Sequence, residues 1–164
     1  YKQALRAERG GSALPAHSDF LLLHGRPAEV PPLLAAEPRS DAVLLRLAIA
    51  ERREPIEKPG VSVVQASAQR DVSELQARLD AAALRPGSTS AHAREGAMFA
   101  LDVQGDAPRA LALARQNVDL QREPADLLLL ARAAAAAKDA NALRAARAMA
   151  REMGLRDARI DTLG

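Results

Sequence analysis

The sequence predicts an all-α fold, and three observations predict it. Apolar residues make up 48% of the 164, yet the aromatics are only Tyr1, Phe20 and Phe99. Ala and Leu supply the rest, with Arg as the usual charge, and all three rank high in helix propensity, whereas β-branched and aromatic strand formers are scarce. Apolar residues also recur at helical spacing, as in Ala110, Leu111, Ala114 and Val118. Finally, Pro, Gly and short polar residues fall where helices stop and start.

Three prolines each precede a core-type leucine by six residues: Pro15 before Leu21, Pro38 before Leu44, and Pro124 before Leu130. Helices are expected to follow them, over 18–25 and 39–53 in the N-terminal part. A short second helix fits 28–37, because Pro31 and Pro32 are tolerated in a first turn. Only 23 residues separate Pro15 from Pro38, so either this unit is eroded or the sequence omits a mobile stretch near Arg26-Pro27. Pro55, Pro59 and Gly60 then forbid a continuous helix, and Val61-Ser62-Val63-Val64 is briefly strand-like, which reads as a loop over 54–66. A helix resumes over 67–84 on the stripe Val72, Leu75, Leu79 and Ala82 or Ala83.

The C-terminal half is more regular. Pro86-Gly87 followed by Ser88-Thr89-Ser90 combines a helix stop with a hydroxyl cap for the next. Helices then fit 91–104 and 107–121, broken at Gly105-Asp106 and closed at Glu123-Pro124. The cycle repeats: Leu127, Leu130, Ala131 and Ala134 form one stripe, Lys138-Asp139 interrupts it, and Ala142, Leu143, Ala146 and Ala150 form the next. Gly154 closes that helix, leaving a half-polar capping segment over 155–164. Gly105-Asp106 precedes Lys138-Asp139 by 33 residues, and Ala110-Leu111…Ala114-Arg115 recurs 32 residues later as Ala142-Leu143…Ala146-Arg147. Internal repetition at a helix–turn–helix period is the most specific signal in the chain.

These residues resemble the tetratricopeptide (TPR) repeat family. Ala97, Met98 and Leu101 fill the first helix, Gly105-Asp106 the turn, Ala110 and Ala114 the second helix, and Pro124 the end; Leu130, Ala131, Ala134, Ala142 and Ala146 repeat the arrangement. The family's aromatic positions hold none here, and its late small residue of the second helix is Asn117. The resemblance is good over 90–154 and weak over 15–85, and the Ala/Arg/Leu-rich style is that of TPR proteins of high-GC bacteria. It implies antiparallel hairpins stacked as a right-handed superhelix, an α-solenoid. On that reading 1–164 is a single helical-repeat domain, with degenerate repeats over 1–53, the loop over 54–66, regular repeats over 67–154 and the cap over 155–164. First helices of such units line a concave groove, which places His92, Glu95, Phe99, Asp102, Leu128 and Arg132 there as partner-binding residues. Phe99 equally fits the core.

Chemistry is hard to find. No cysteine is present, which removes disulfides, thiolate metal sites and Cys nucleophiles. His17, His24 and His92 lack metal-ligand spacing. His17-Ser18-Asp19 holds triad residue types, but adjacent positions do not converge as a triad does, and Ser18 or Asp19 reads as a cap. Asp102, Asp106 and Asp119 read as surface and turn residues, and Arg9-Gly10-Gly11-Ser12 as a linker rather than a phosphate loop. No enzyme activity, metal or cofactor is therefore expected. The net charge of +2 from 23 basic and 21 acidic side chains is too small for a phosphate stripe, and stacking aromatics are few, so nucleic acid is not an expected partner. No apolar run approaches the ~20 residues of a membrane span. The chain begins at Tyr1, which reads as a fragment or processed form, and the compartment stays unassigned. The expected function is a scaffold for a protein or peptide; the alternatives are packing against an upstream region or a second copy in a homo-oligomer and, more remotely, an enzyme on a helical scaffold.

Overall fold

The computed structural model describes residues 13–54, 62–84 and 92–164, and every regular element among them is helical. The expected linker at Arg9–Ser12, the proline-rich centre of the expected loop and the Pro86–Ser90 stop-and-start lie outside the described residues. Chain contacts divide the protein into two compact units, Tyr1–Arg78 and Leu79–Gly164.

The first unit contains α1 (Ala13–Leu23), a 3-10 turn (Pro27–Glu29), α2 (Val30–Leu34), α3 (Asp41–Arg53) and α4 (Ser62–Ala83) as far as Arg78. Helix α1 starts earlier than the proline spacing suggests, since Pro15 falls within its first turn, where no intrahelical N–H is lost. The short second helix expected over 28–37 is a 3-10 turn followed by a five-residue helix, with Pro31 and Pro32 in the first turn. Helix α4 begins at Ser62, so Ser62–Val64 are helical rather than strand-like. Two valines cost a helix only tenths of a kcal/mol each, and the long Gln, Ala, Leu and Arg run that follows propagates it towards its N-terminus.

Leu21, Leu22, Val30, Leu34, Leu44, Leu45, Ile49 and Leu75 are buried in this unit, and an arginine is buried with them. Arg46, 5% exposed, donates from Nε to the Pro15 carbonyl at 3.1 Å, from Nη1 to the Ala42 carbonyl at 2.9 Å and from Nη2 to Asp19 Oδ2 at 2.7 Å. Seven residues on, Arg53 donates at 2.7 Å to the Leu22 carbonyl near the end of α1, which also accepts from the Gly25 N–H at 3.3 Å. Helix α3 thus grips α1 near both ends. At the α3 N-terminus, Ser40 caps the helix by accepting from the Val43 N–H. Arg39 bonds Asp71 (2.5 Å) and Glu74 (3.1 Å), while Arg78 bonds Asp41 (2.9 Å) and Glu74 (2.6 Å), an ion network that holds α4 there.

The second unit contains α5 (Ala93–Phe99), a π-helical turn (Ala100–Gln104), α6 (Ala107–Leu120), α7 (Pro124–Ala136), α8 (Ala140–Glu152) and the short α9 (Ala158–Asp161). Helix α7 is its centre. Leu127 to Ala131, Ala133 and Ala134 are all buried, on every side of the helix. Around it pack Ala97 and Ala100, Ala110, Leu111, Ala114 and Val118 of α6, Ala142, Leu143, Ala146 and Ala150 of α8, and Ile160 of α9. Small side chains let the backbones approach: a Cβ at Gly96 would lie 3.3 Å from Leu113 Cδ1.

The repeated turn has a physical basis. Gly105 and Lys138 both take the left-handed conformation, at φ 72° and 55°. The next residue, Asp106 or Asp139, caps the following helix, accepting from the Arg109 N–H at 3.1 Å or the Ala142 N–H at 2.9 Å. At Lys138 the Asp139 N–H reaches back five residues to the Ala134 carbonyl; at Gly105 the Asp106 N–H reaches back six, to Ala100. The π turn supplies that extra residue. It explains a drifting period: the buried pairs Ala97/Ala131 and Ala100/Ala134 lie 34 residues apart, whereas Gly105 and Lys138 lie 33 apart. After the second turn the buried stripe of α8 starts one position closer to its cap than that of α6, which shortens the spacing to 32.

Two outcomes are expected. Lys138→Gly stabilises the protein by roughly 0.5–1 kcal/mol in urea melts, because a non-glycine residue at this left-handed position bears a steric cost. Arg46→Ala destabilises by about 3 kcal/mol, since it strands Asp19 in a largely buried site; a loss below ~1 kcal/mol in the same melts contradicts the buried-clamp reading.

Candidate functional site

The six residues that the resemblance places in a groove share elements but not exposure. His92, Glu95, Phe99 and Asp102 follow one another along α5 and the π turn, and Leu128 and Arg132 lie on α7. Only His92 is well exposed; Glu95 is half-buried. Phe99 is 1% exposed and Leu128 5%, so both are core side chains in this conformation. Asp102 and Arg132 do come together, but with each other. Their fork joins Nη2 to Oδ1 at 2.5 Å and Nη1 to Oδ2 at 3.3 Å, tying the π turn to α7. The pair is bidentate through the two terminal guanidinium nitrogens.

A second tie lies at the start of α7. Asp126, fully buried, accepts from the Glu123 N–H at 2.9 Å, and Arg94 of α5 stands 3.5 Å from the carboxylates of both Asp126 and Glu123. A carboxylate at a helix N-terminus answers the orphan N–H groups and the positive end of the dipole. These ion pairs explain why the first helices of the two hairpins hold their relative position.

A concavity among the described residues of this unit lies between the second helices of the two hairpins. Arg115, Val118 and Asp119 of α6 face Asn141, Ala142, Ala145 and Met149 of α8 across a groove of about 440 Å³, with Leu130 of α7 beneath. Val118, Leu130 and Ala142 are buried and form the floor, Met149 is half-buried, and Ala145 is exposed at the mouth. The i, i+3, i+4 spacing of 115, 118 and 119, and the i, i+1, i+4, i+8 spacing of 141, 142, 145 and 149, put each set on one flank of its helix. The groove is an open furrow rather than an enclosed cavity, with apolar walls and a few polar groups at its rim.

The polar rim is unevenly committed. Arg115 bonds Asp139 at 2.9 Å, and Asn141 Oδ1 accepts from Arg144. Asp119 has no hydrogen-bond or ion-pair partner among the described residues. The Ala142 N–H bond and the Arg115 guanidinium hold the Asp139 carboxyl below the ordinary carboxylate range. This rim is missed by sequence reasoning because Ala145 and Met149 flank the α8 stripe rather than belong to it, and Asp119 is one exposed acid among many.

Among the described residues, no three His, Cys, Asp or Glu side chains cluster as a metal site, and no helix is long and apolar enough to cross a membrane. No family model, no curated protein and no solved structure matches the chain.

The cap at the groove's end yields a pH prediction. A carboxyl held below its unfolded value stabilises the fold fully above that unfolded value, near pH 4, and the contribution fades as pH falls through the folded one. The melting temperature of Asp139→Ala is therefore expected below the parent's at pH 7, with the gap closing below about pH 4. A gap that persists unchanged at pH 2.5, some 1.5 below the ordinary carboxylate value, contradicts the assignment.

Proposed function

We propose that this chain is a non-catalytic protein-binding module, a TPR-like array of antiparallel hairpins in a right-handed superhelix, and that the α6–α8 groove receives a segment of a partner protein. The observation that carries the reading is the groove itself: an apolar floor with an exposed alanine at its mouth, between repeating helices. The repeated left-handed turn with its Asp cap, and the 34-residue register of Ala97/Ala131 and Ala100/Ala134, support the repeat assignment. Hairpins that stack in this way create long concave or furrowed surfaces suited to peptides and partner helices. Of the six first-helix residues, Phe99 and Leu128 are buried and Asp102 and Arg132 pair with each other, whereas His92 is exposed and Glu95 half-buried.

Packing against a second copy or an upstream region is the weaker reading. At the end of the second unit, Ile160 is 1% exposed and Arg147 gathers the carbonyls of Ile160, Asp161 and Leu163, so the face of α7 there is already covered by the chain's own last segment.

The test is to fill the groove. Ala145→Arg places a long cation at the mouth from an exposed position, and it leaves the core and the helix propensity intact. A synthetic amphipathic helix with a Leu stripe, titrated by fluorescence anisotropy, is expected to lose at least tenfold in affinity for this variant while circular dichroism stays unchanged. Equal binding by both proteins removes the groove from the function.

A further inference from the structure

Resting on the groove reading above, we infer that the groove selects a partner helix carrying a lysine or arginine beside its apolar anchor, with Asp119 as the group that reads the charge. The apolar part of the site offers little choice. Val118, Leu130, Ala142 and Met149 present aliphatic and thioether surface, and a methionine in a wall adapts to Leu, Ile, Met or Phe alike. Selectivity therefore comes from the rim.

Three ionic or amide groups line that rim, and two are committed within the protein. The Arg115 guanidinium faces the Asp139 carboxylate at 2.9 Å, an N-cap held in turn by the Ala142 N–H. The Asn141 amide oxygen is taken by Arg144. Asp119 alone lines the groove with its carboxylate unengaged by any described residue, one position from the buried Val118 of the floor. An acidic side chain entering here meets that carboxylate as a like charge, while the Arg115 guanidinium is bonded through Nη2 to Asp139. A cation meets an open acceptor next to low-dielectric apolar surface, where charge complementarity sets partner choice more than raw affinity.

The geometry fits a helix better than an extended strand, because the groove is bounded by side chains and offers no free backbone edge to pair with. On an amphipathic helix, a basic residue three or four positions from the anchor lies on the same flank.

The experiment uses three synthetic helical peptides that share a Leu stripe and Gln at all other polar positions. One carries a single Lys four residues from the central Leu, the second carries Glu there, and the third keeps Gln. With the full chain at low ionic strength, the Lys peptide is expected to bind roughly three- to tenfold more tightly than the Glu peptide, with Gln between them. The ratio falls towards one as NaCl approaches 1 M, where the screening length is ~3 Å. Asp119→Asn is expected to collapse the Lys/Glu ratio, and Asp119→Lys to invert it, with both variants checked by circular dichroism. A ratio near one in the parent protein, or a Lys preference that survives Asp119→Asn, overturns the charge assignment while leaving the groove in place. Failure of all three peptides to bind overturns the groove and the charge assignment together.

Discussion

The burial of α7 on every side is the constraint on which the second unit depends. A helix with one apolar stripe needs one neighbour, but Leu127, Leu128, Leu129 and Leu130 point in four directions and each demands cover. Helices α5 and α6 supply it from the preceding hairpin, α8 from its own, and Ile160 from the chain's last turn. Alanine makes this possible. Ala97, Ala100, Ala110, Ala114, Ala131, Ala134 and Ala146 are each at most 1% exposed, and at these positions a larger side chain would push the backbones apart.

With the helices held so closely, their ends must be managed by turns of little length. A left-handed residue followed by an Asp cap reverses the chain in two residues and satisfies orphan groups on both helices at once. The second unit uses the device twice, and the π turn before Gly105 absorbs the one residue by which the two copies differ. The groove follows from the same geometry. Where α6 and α8 diverge over Leu130, small Ala142 and Ala145 leave space that larger residues would have filled. A candidate binding surface is thus the complement of close packing nearby.

The first unit solves the same problem with polar groups. Its second helix is reduced to five residues, so α1 lacks a full-length partner on that side. Arg46 and Arg53 of α3 reach across to carbonyls and a carboxylate of α1 instead, and an ion network seats α4. Buried charge of this kind contributes little net stability when complete but is costly to break, which favours one arrangement of α1 on α3 over others.

Composition and periodicity by themselves determined that the protein is helical, and where most helices of the second unit lie, because Ala, Leu and Arg favour one local state and Gly105, Asp106, Asp139 and Gly154 act on the backbone within a few residues of where they stand. They also made the repeat visible. Val63 and Val64 misled as strand formers, since a two-residue preference yields to the cooperativity of the 22-residue helix around it. Tertiary structure alone decided which of several exposable side chains are spent in packing. A stripe on α5 looks the same in sequence whether its outer half meets solvent or α7, so Phe99 read equally as a binding surface or as core, while Asp102 and Arg132 read only as surface and groove residues. The α6–α8 groove was likewise invisible, because its residues come from two helices whose separation depends on the bulk of everything packed between them.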